Sequence, residues 1–158
     1  MVSVPFGSRE LVFLLNLLIS GVAGFLIGRE RESRGKDAGV ATQSLVIVAA
    51  MTFTYISILV EPNNTMRIAS NIIVGVGFLG AGMIMKSKGG RVTNLTTAAS
   101  IWYSTAIGMS IALGWYLISV FLTAFALLVP KLPHAQPKLV QQQNNNEMQQ
   151  HHYHKNWK

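Results

Sequence analysis

At 158 residues, half of them hydrophobic and only 12% charged, the chain is about one domain long and far below the roughly 25% charge of ordinary soluble domains. Its net charge of +7 comes from short basic clusters between long apolar runs, not from one basic face, which argues against a nucleic-acid partner and for a lipid bilayer. With no cysteine, disulfides, thiolate catalysis and cysteine-bound metals are excluded.

The first apolar run is Leu11–Gly28. The acidic Glu10, the length of the run and the charged Arg29-Glu30-Arg31-Glu32 behind it favour a retained span over a cleaved leader. Gly39–Val60 and Ile68–Met85 follow, and each of these three runs has about the 20 residues that cross a bilayer. The last run, Leu95–Val129, has 35 residues and would reach roughly 52 Å as one helix. That is too long for one crossing, so it divides near Leu113-Gly114 into 95–112 and 115–130. The alternative is four spans, with one long tilted helix at the end. The expected fold is all-α, a polytopic membrane helix bundle of about five transmembrane helices in residues 1–130. Pro130, Pro133 and Pro137 stop the last helix. The low-complexity run Gln141–Asn146 then predicts a disordered cytoplasmic tail over residues 131–158.

Lysine and arginine set the orientation. Connections 29–38 and 86–94 and the tail hold eleven of the thirteen, while the opposite side holds only Arg9 and Arg67. The positive-inside rule then predicts an inner-membrane protein with its N-terminus outside and its C-terminus in the cytoplasm.

The third run carries four glycines in eight residues, Gly75, Gly77, Gly80 and Gly82. In lipid, small residues let another helix backbone approach closely, so this reads as a packing helix. Its G-x-G-x-x-G lacks the strand and acidic partner of a dinucleotide site. A sharper reading has the glycines bare backbone carbonyls to an ion path. Small residues also recur every four positions at Asn16, Ser20, Gly24 and Gly28, and at Thr96, Ser100, Ser104, Gly108 and Ala112. These faces predict a compact bundle and permit a homodimer.

No span interior contains Asp, Glu, Lys, Arg or His, which argues against a proton relay. Asn16 and Asn71 are the strongest polar groups at depth. Asn71, with Arg67 at the head of its run, forms a candidate polar site: an interhelical hydrogen bond is the plainer role, and an oxygen-lined Mg²⁺ site the sharper one. All four histidines lie in the tail, so no catalytic residues and no enzyme activity are expected. No cofactor is expected beyond Mg²⁺ as ligand or substrate, and the sequence assigns no metal ligands.

Three blocks resemble the MgtC/SapB family of bacterial inner-membrane proteins. The first is the loop motif Gly28 to Gly39, with Glu30, Arg31, Glu32, Arg34 and Gly39, followed by Thr42. The second is Arg67-Ile68-Ala69 leading into Gly75, Gly77, Gly80 and Gly82. The third is Leu95-Thr96-Thr97-Ala98-Ala99 with Ile101-Trp102. The resemblance runs over residues 11–128. It implies a protein of magnesium homeostasis and low-magnesium survival, virulence-associated in pathogens, and a non-enzymatic regulator of a partner such as an ATP synthase or cation pump. Transport of Mg²⁺ or another cation is the alternative. Ala41 stands where the family carries arginine, Asn71 where glutamine is common, and Asn94 where glycine is common.

Overall fold

A computed structural model describes residues 7–64, 66–86 and 92–132. It contains five α-helices: α1 (Ser8–Ser33), α2 (Val40–Val60), α3 (Met66–Met83), α4 (Leu95–Ala112) and α5 (Tyr116–Leu128). A two-residue antiparallel pairing joins Met85–Lys86 to Val92–Thr93, between α3 and α4. The expected tail lies, from residue 133 onward, outside the described residues.

Each apolar run becomes one helix, and the longest breaks where expected. Gly114 takes a left-handed φ of 75° between α4 and α5, a conformation only glycine adopts without strain. The main departure is α1, which continues past the apolar run to Ser33. Its charged last turns hold themselves together: Glu30 pairs with Arg34 one turn on, and the Ser33 hydroxyl donates to the Glu30 carbonyl.

The helices α1, α2 and α4 form the dense centre. A Cβ on Gly24 or Gly28 would collide with the backbone of Ser44 or Val40, and one on Gly108 would lie 3.0 Å from Met51 N and 2.9 Å from Ala50 Cβ. The glycines thus let three backbones nearly touch. α4 contacts all four other helices, while α3 lies against α2 and α4. α1 runs antiparallel to α2, with Phe13 against Tyr55 at 5.5 Å, and α2 runs parallel to α4.

The centre holds buried apolar side chains, Ile27, Ile47, Met51, Ile107 and Ile111, but α1 and α5 otherwise bury small and polar residues and expose large apolar ones. On α1 the buried row is Asn16, Ser20, Gly24 and Gly28, while Leu11, Leu14, Leu18, Val22 and Phe25 point outward. On α5 the exposed side is Leu117, Phe121, Phe125 and Leu128, and the buried residue is Ser119. Large apolar side chains outside and small polar ones inside suit a lipid solvent, where closeness between helices comes from small residues and hydrogen bonds. α1 and α2 are each long and apolar enough to cross a membrane.

Candidate functional site

The polar residues of the first and third motif blocks gather at the end of the bundle where α1 finishes and α2 and α4 begin. The connection between α1 and α2 turns sharply, with Gly35 and Ala38 at left-handed φ of 62° and 59°. That geometry aims successive carbonyls inward. The Asp37 carbonyl accepts from Arg31 Nε at 3.1 Å and Nη2 at 2.9 Å. Arg31 Nη2 also donates to Thr97 Oγ1 at 2.7 Å, which ties α1 to the first turn of α4. Arg31 is only 6% exposed.

Beside this pair lies Gln43, fully buried on α2. Its amide donates to Ser100 Oγ at 3.1 Å and to the Ala38 carbonyl at 3.3 Å, and its carbonyl oxygen accepts from Ser104 Oγ at 2.6 Å. The Ser100 hydroxyl donates onward to the Thr97 carbonyl. Both ends of the Gln43 amide, which lipid could not satisfy, find protein partners here. Glu32 stands at the rim, where its carboxylate accepts from the Val40 amide at 2.8 Å and caps α2. Gly39 leaves the room for it, since a Cβ there would press on the Glu32 side chain.

The structure brings the first and third motif blocks together: Arg31 bonds Thr97, and Glu30 and Arg34 share a cavity with Thr96, while Glu32 and Gly39 meet each other at the start of α2. Thr42 and Trp102 are exposed and stay outside the network.

The glycine block behaves differently from the expectation of a packing helix within the chain. Gly75, Gly77 and Gly82 have open space where a Cβ would stand, and Gly80 alone lies over α4, 3.8 Å from Ala98 Cβ. Phe78 on the same helix is 81% exposed. Val76 adds a contact to Ile101 of α4, and Gly75 lines a groove between α2 and α3. Asn71 also departs from expectation: its amide donates to the Arg67 carbonyl within α3, at 3.3 Å, not to another helix. Its neighbour in sequence space, Arg67, pairs with Glu61 across the α2–α3 turn. Asn16 is the polar group that does bridge helices, accepting from Tyr116 on α5 at 2.9 Å. Gln43 was not visible as a site residue from the sequence, because it opens an apolar run and resembles a polar flank.

A five-helix bundle with lipid-suited burial and a polar network tying three helix ends defines an integral membrane protein. The family model for MgtC matches residues 17–135, and the chain belongs to the MgtC family. It is 43% identical over 104 residues to the protein named MgtC of Salmonella typhimurium strain LT2, covering 66% of this chain and 45% of that one. It is 34% identical over 134 residues to the putative magnesium transporter YhiD of Escherichia coli K12, covering 77% and 60%. An uncharacterized protein of Haemophilus influenzae is 34% identical over 132 residues, covering 77% and 56%. The chain therefore spans about half the length of the curated relatives it matches. No solved structure matches it.

Proposed function

We propose that this chain is a non-enzymatic membrane regulator in magnesium homeostasis that acts by helix contact with another membrane protein. The observation that carries the reading is the open space beside three glycines of α3, two of which, Gly75 and Gly82, share one side of the helix. Among the described residues, nothing lies within 4 Å of where a Cβ on Gly75, Gly77 or Gly82 would stand. Glycine weakens a helix by about 1 kcal/mol relative to alanine and is useful in lipid where another backbone comes close. A partner's transmembrane helix would pack against these glycines; an ATP synthase or a cation pump is the class the family resemblance suggests, and a second copy would also fit. The magnesium role rests on the family and on the relative named a putative magnesium transporter.

The orientation follows from charge. The α1–α2 connection, the start of α4 and the end of α5 share one end of the bundle, as the contacts of Arg31 to Thr97 and of Arg34 to the Pro130 carbonyl require. That end faces the cytoplasm of an inner-membrane protein with its N-terminus outside, by the positive-inside rule. A reporter fused after Leu139 should then signal cytoplasm.

The decisive test is affinity capture from membranes at low and high magnesium, with wild type and Gly77→Leu. Wild type should retain a partner that the variant loses while still folding. If Gly77→Leu keeps every partner and supports growth in low magnesium, the reading fails. Passage of Mg²⁺ through the chain is the second reading, favoured by the buried polar column of Gln43, Ser100 and Ser104. Flux into liposomes carrying a magnesium dye separates the two.

A further inference from the structure

A cavity of about 570 Å³ opens between α1, α4 and α5 at the basic end of the bundle. Its size is that of a small-molecule site. One part of its wall is charged, with Glu30, Arg31, Arg34 and Lys36; the rest is mainly apolar, with the Tyr103 and Phe125 rings tilted against each other at 6.0 Å and Val129 beyond. Three cations against one carboxylate make the lining net positive. Asp37, outside the lining, lowers the balance by one and leaves it positive. Glu30 is already paired with Arg34.

Arg31 is the informative residue. It is buried, yet it forms no ion pair among the described residues; its partners are a carbonyl and a hydroxyl. Its Nη1 has no hydrogen-bond acceptor among the described residues. It also lies at the start of α4, where Asn94 provides no side-chain cap and the helix amides concentrate positive charge. Glu30 and Asp37 lie near enough to favour its charge, but neither pairs with it directly, and a buried guanidinium gains most from an anion that meets it. The charge of the lining disfavours a cation. The apolar walls, built from the ends of lipid-facing helices, disfavour a fully hydrated small ion.

We propose that this cavity binds an anionic phospholipid, with the phosphate met by Arg31, Arg34 and Lys36 and the upper acyl chain lying against Tyr103, Phe125 and Val129. Basic pockets between transmembrane helices hold acidic head groups in this way. Free phosphate in solution carries the same charge chemistry without the acyl chain, and the experiment distinguishes the two. The inference needs the membrane setting of the bundle but not the regulator reading above.

Detergent-purified protein is incubated with phosphatidylglycerol, phosphatidylcholine or inorganic phosphate, and binding is read by native mass spectrometry and thermal shift. Phosphatidylglycerol should be retained and raise the melting temperature, and the other two should do neither. Lys36→Gln leaves the Arg31 and Glu30 contacts in place and should weaken retention about fivefold, with Arg34→Gln weakening it by a similar factor. Arg9→Gln, at the other end of the bundle, should change nothing. Equal retention of phosphatidylcholine, wild-type binding by the Lys36→Gln/Arg34→Gln double variant, or an equal loss in Arg9→Gln would each overturn the proposal. A thermal shift from inorganic phosphate matching that from the lipid would assign the site to a free oxyanion and overturn the lipid assignment.

Discussion

The hydroxyl of Ser104 on α4 donates a 2.6 Å hydrogen bond to the side-chain carbonyl of Gln43 on α2, 61 positions away. Gln43 is the hub of its layer, bonded also to Ser100 and the Ala38 carbonyl. Gln43→Leu would fill the volume but strand the Ser104 hydroxyl and the Ala38 carbonyl, while Ser100 keeps its bond to the Thr97 carbonyl. An unsatisfied buried group costs about 1–3 kcal/mol, so Gln43→Leu should lower stability by at least that much, and more than Ser104→Ala does. Unfolding of both variants in mild detergent checks the order. Equal stability of Gln43→Leu and wild type would mean that water reaches this layer.

The number of helices and most of their boundaries were legible in the sequence because the lengths of apolar runs dictate them. The rows Asn16–Gly28 and Thr96–Ala112 were legible as packing faces because spacing by four fixes one side of a helix. Two things were not. Arg31 and Thr97 each stood in a motif, but 66 residues separate them, and no local pattern reveals that they bond. The glycines of α3 declared a face for close approach, yet small residues do not say whether the approaching backbone belongs to the same chain. Gly24 and Gly108 find theirs inside, whereas Gly75 and Gly77 do not.

That contrast gives a prediction of opposite sign for one kind of substitution. Gly108→Ala places a Cβ against Ala50 and Met51 and should cost about 1–3 kcal/mol, the usual range for overpacking. Gly77→Ala adds a Cβ in open space and should be neutral or raise stability by up to about 1 kcal/mol from helix propensity. Thermal unfolding of the isolated protein measures both. In membranes that hold the partner, Gly77→Ala should instead weaken co-purification, so the same change stabilises the chain and impairs its association.

A pH effect is expected at the opposite end of the bundle. The hydrogen bonds from Arg67 hold the Glu61 carboxyl below the usual carboxylate range. A carboxyl whose pKa is lowered by folding contributes its stability above the unfolded value and loses it as pH falls through the folded one. The α2–α3 link should therefore persist at neutral pH and release in acid. Because the pair is solvent-exposed, salt should weaken it and the melting temperature should move little. Carboxyl carbon shifts measured by NMR report it directly. Arg67→Gln should return the Glu61 titration upward, and an unchanged titration would show that Arg67 does not hold the carboxylate in solution.

Glu32 and Gly39 act as one device at the start of α2. Gly39 is the N-cap residue and has no side chain to offer, so Glu32 reaches across the turn to accept from the Val40 amide. The φ of Gly39 is −76°, which any residue can adopt, so its smallness and not its flexibility is what the site uses. Gly39→Ala would bring a Cβ within 2.8 Å of Glu32 Cδ and push the carboxylate off the helix end. Each of Gly39→Ala and Glu32→Ala should then remove the same cap, at about 1 kcal/mol. The double variant should be no less stable than either single one, the signature of two residues sharing one interaction. Glu32→Gln keeps the acceptor and loses only its charge against the helix dipole, so it should cost less than Glu32→Ala. Additive losses in the cycle would mean that Gly39 serves the turn for a reason other than seating Glu32.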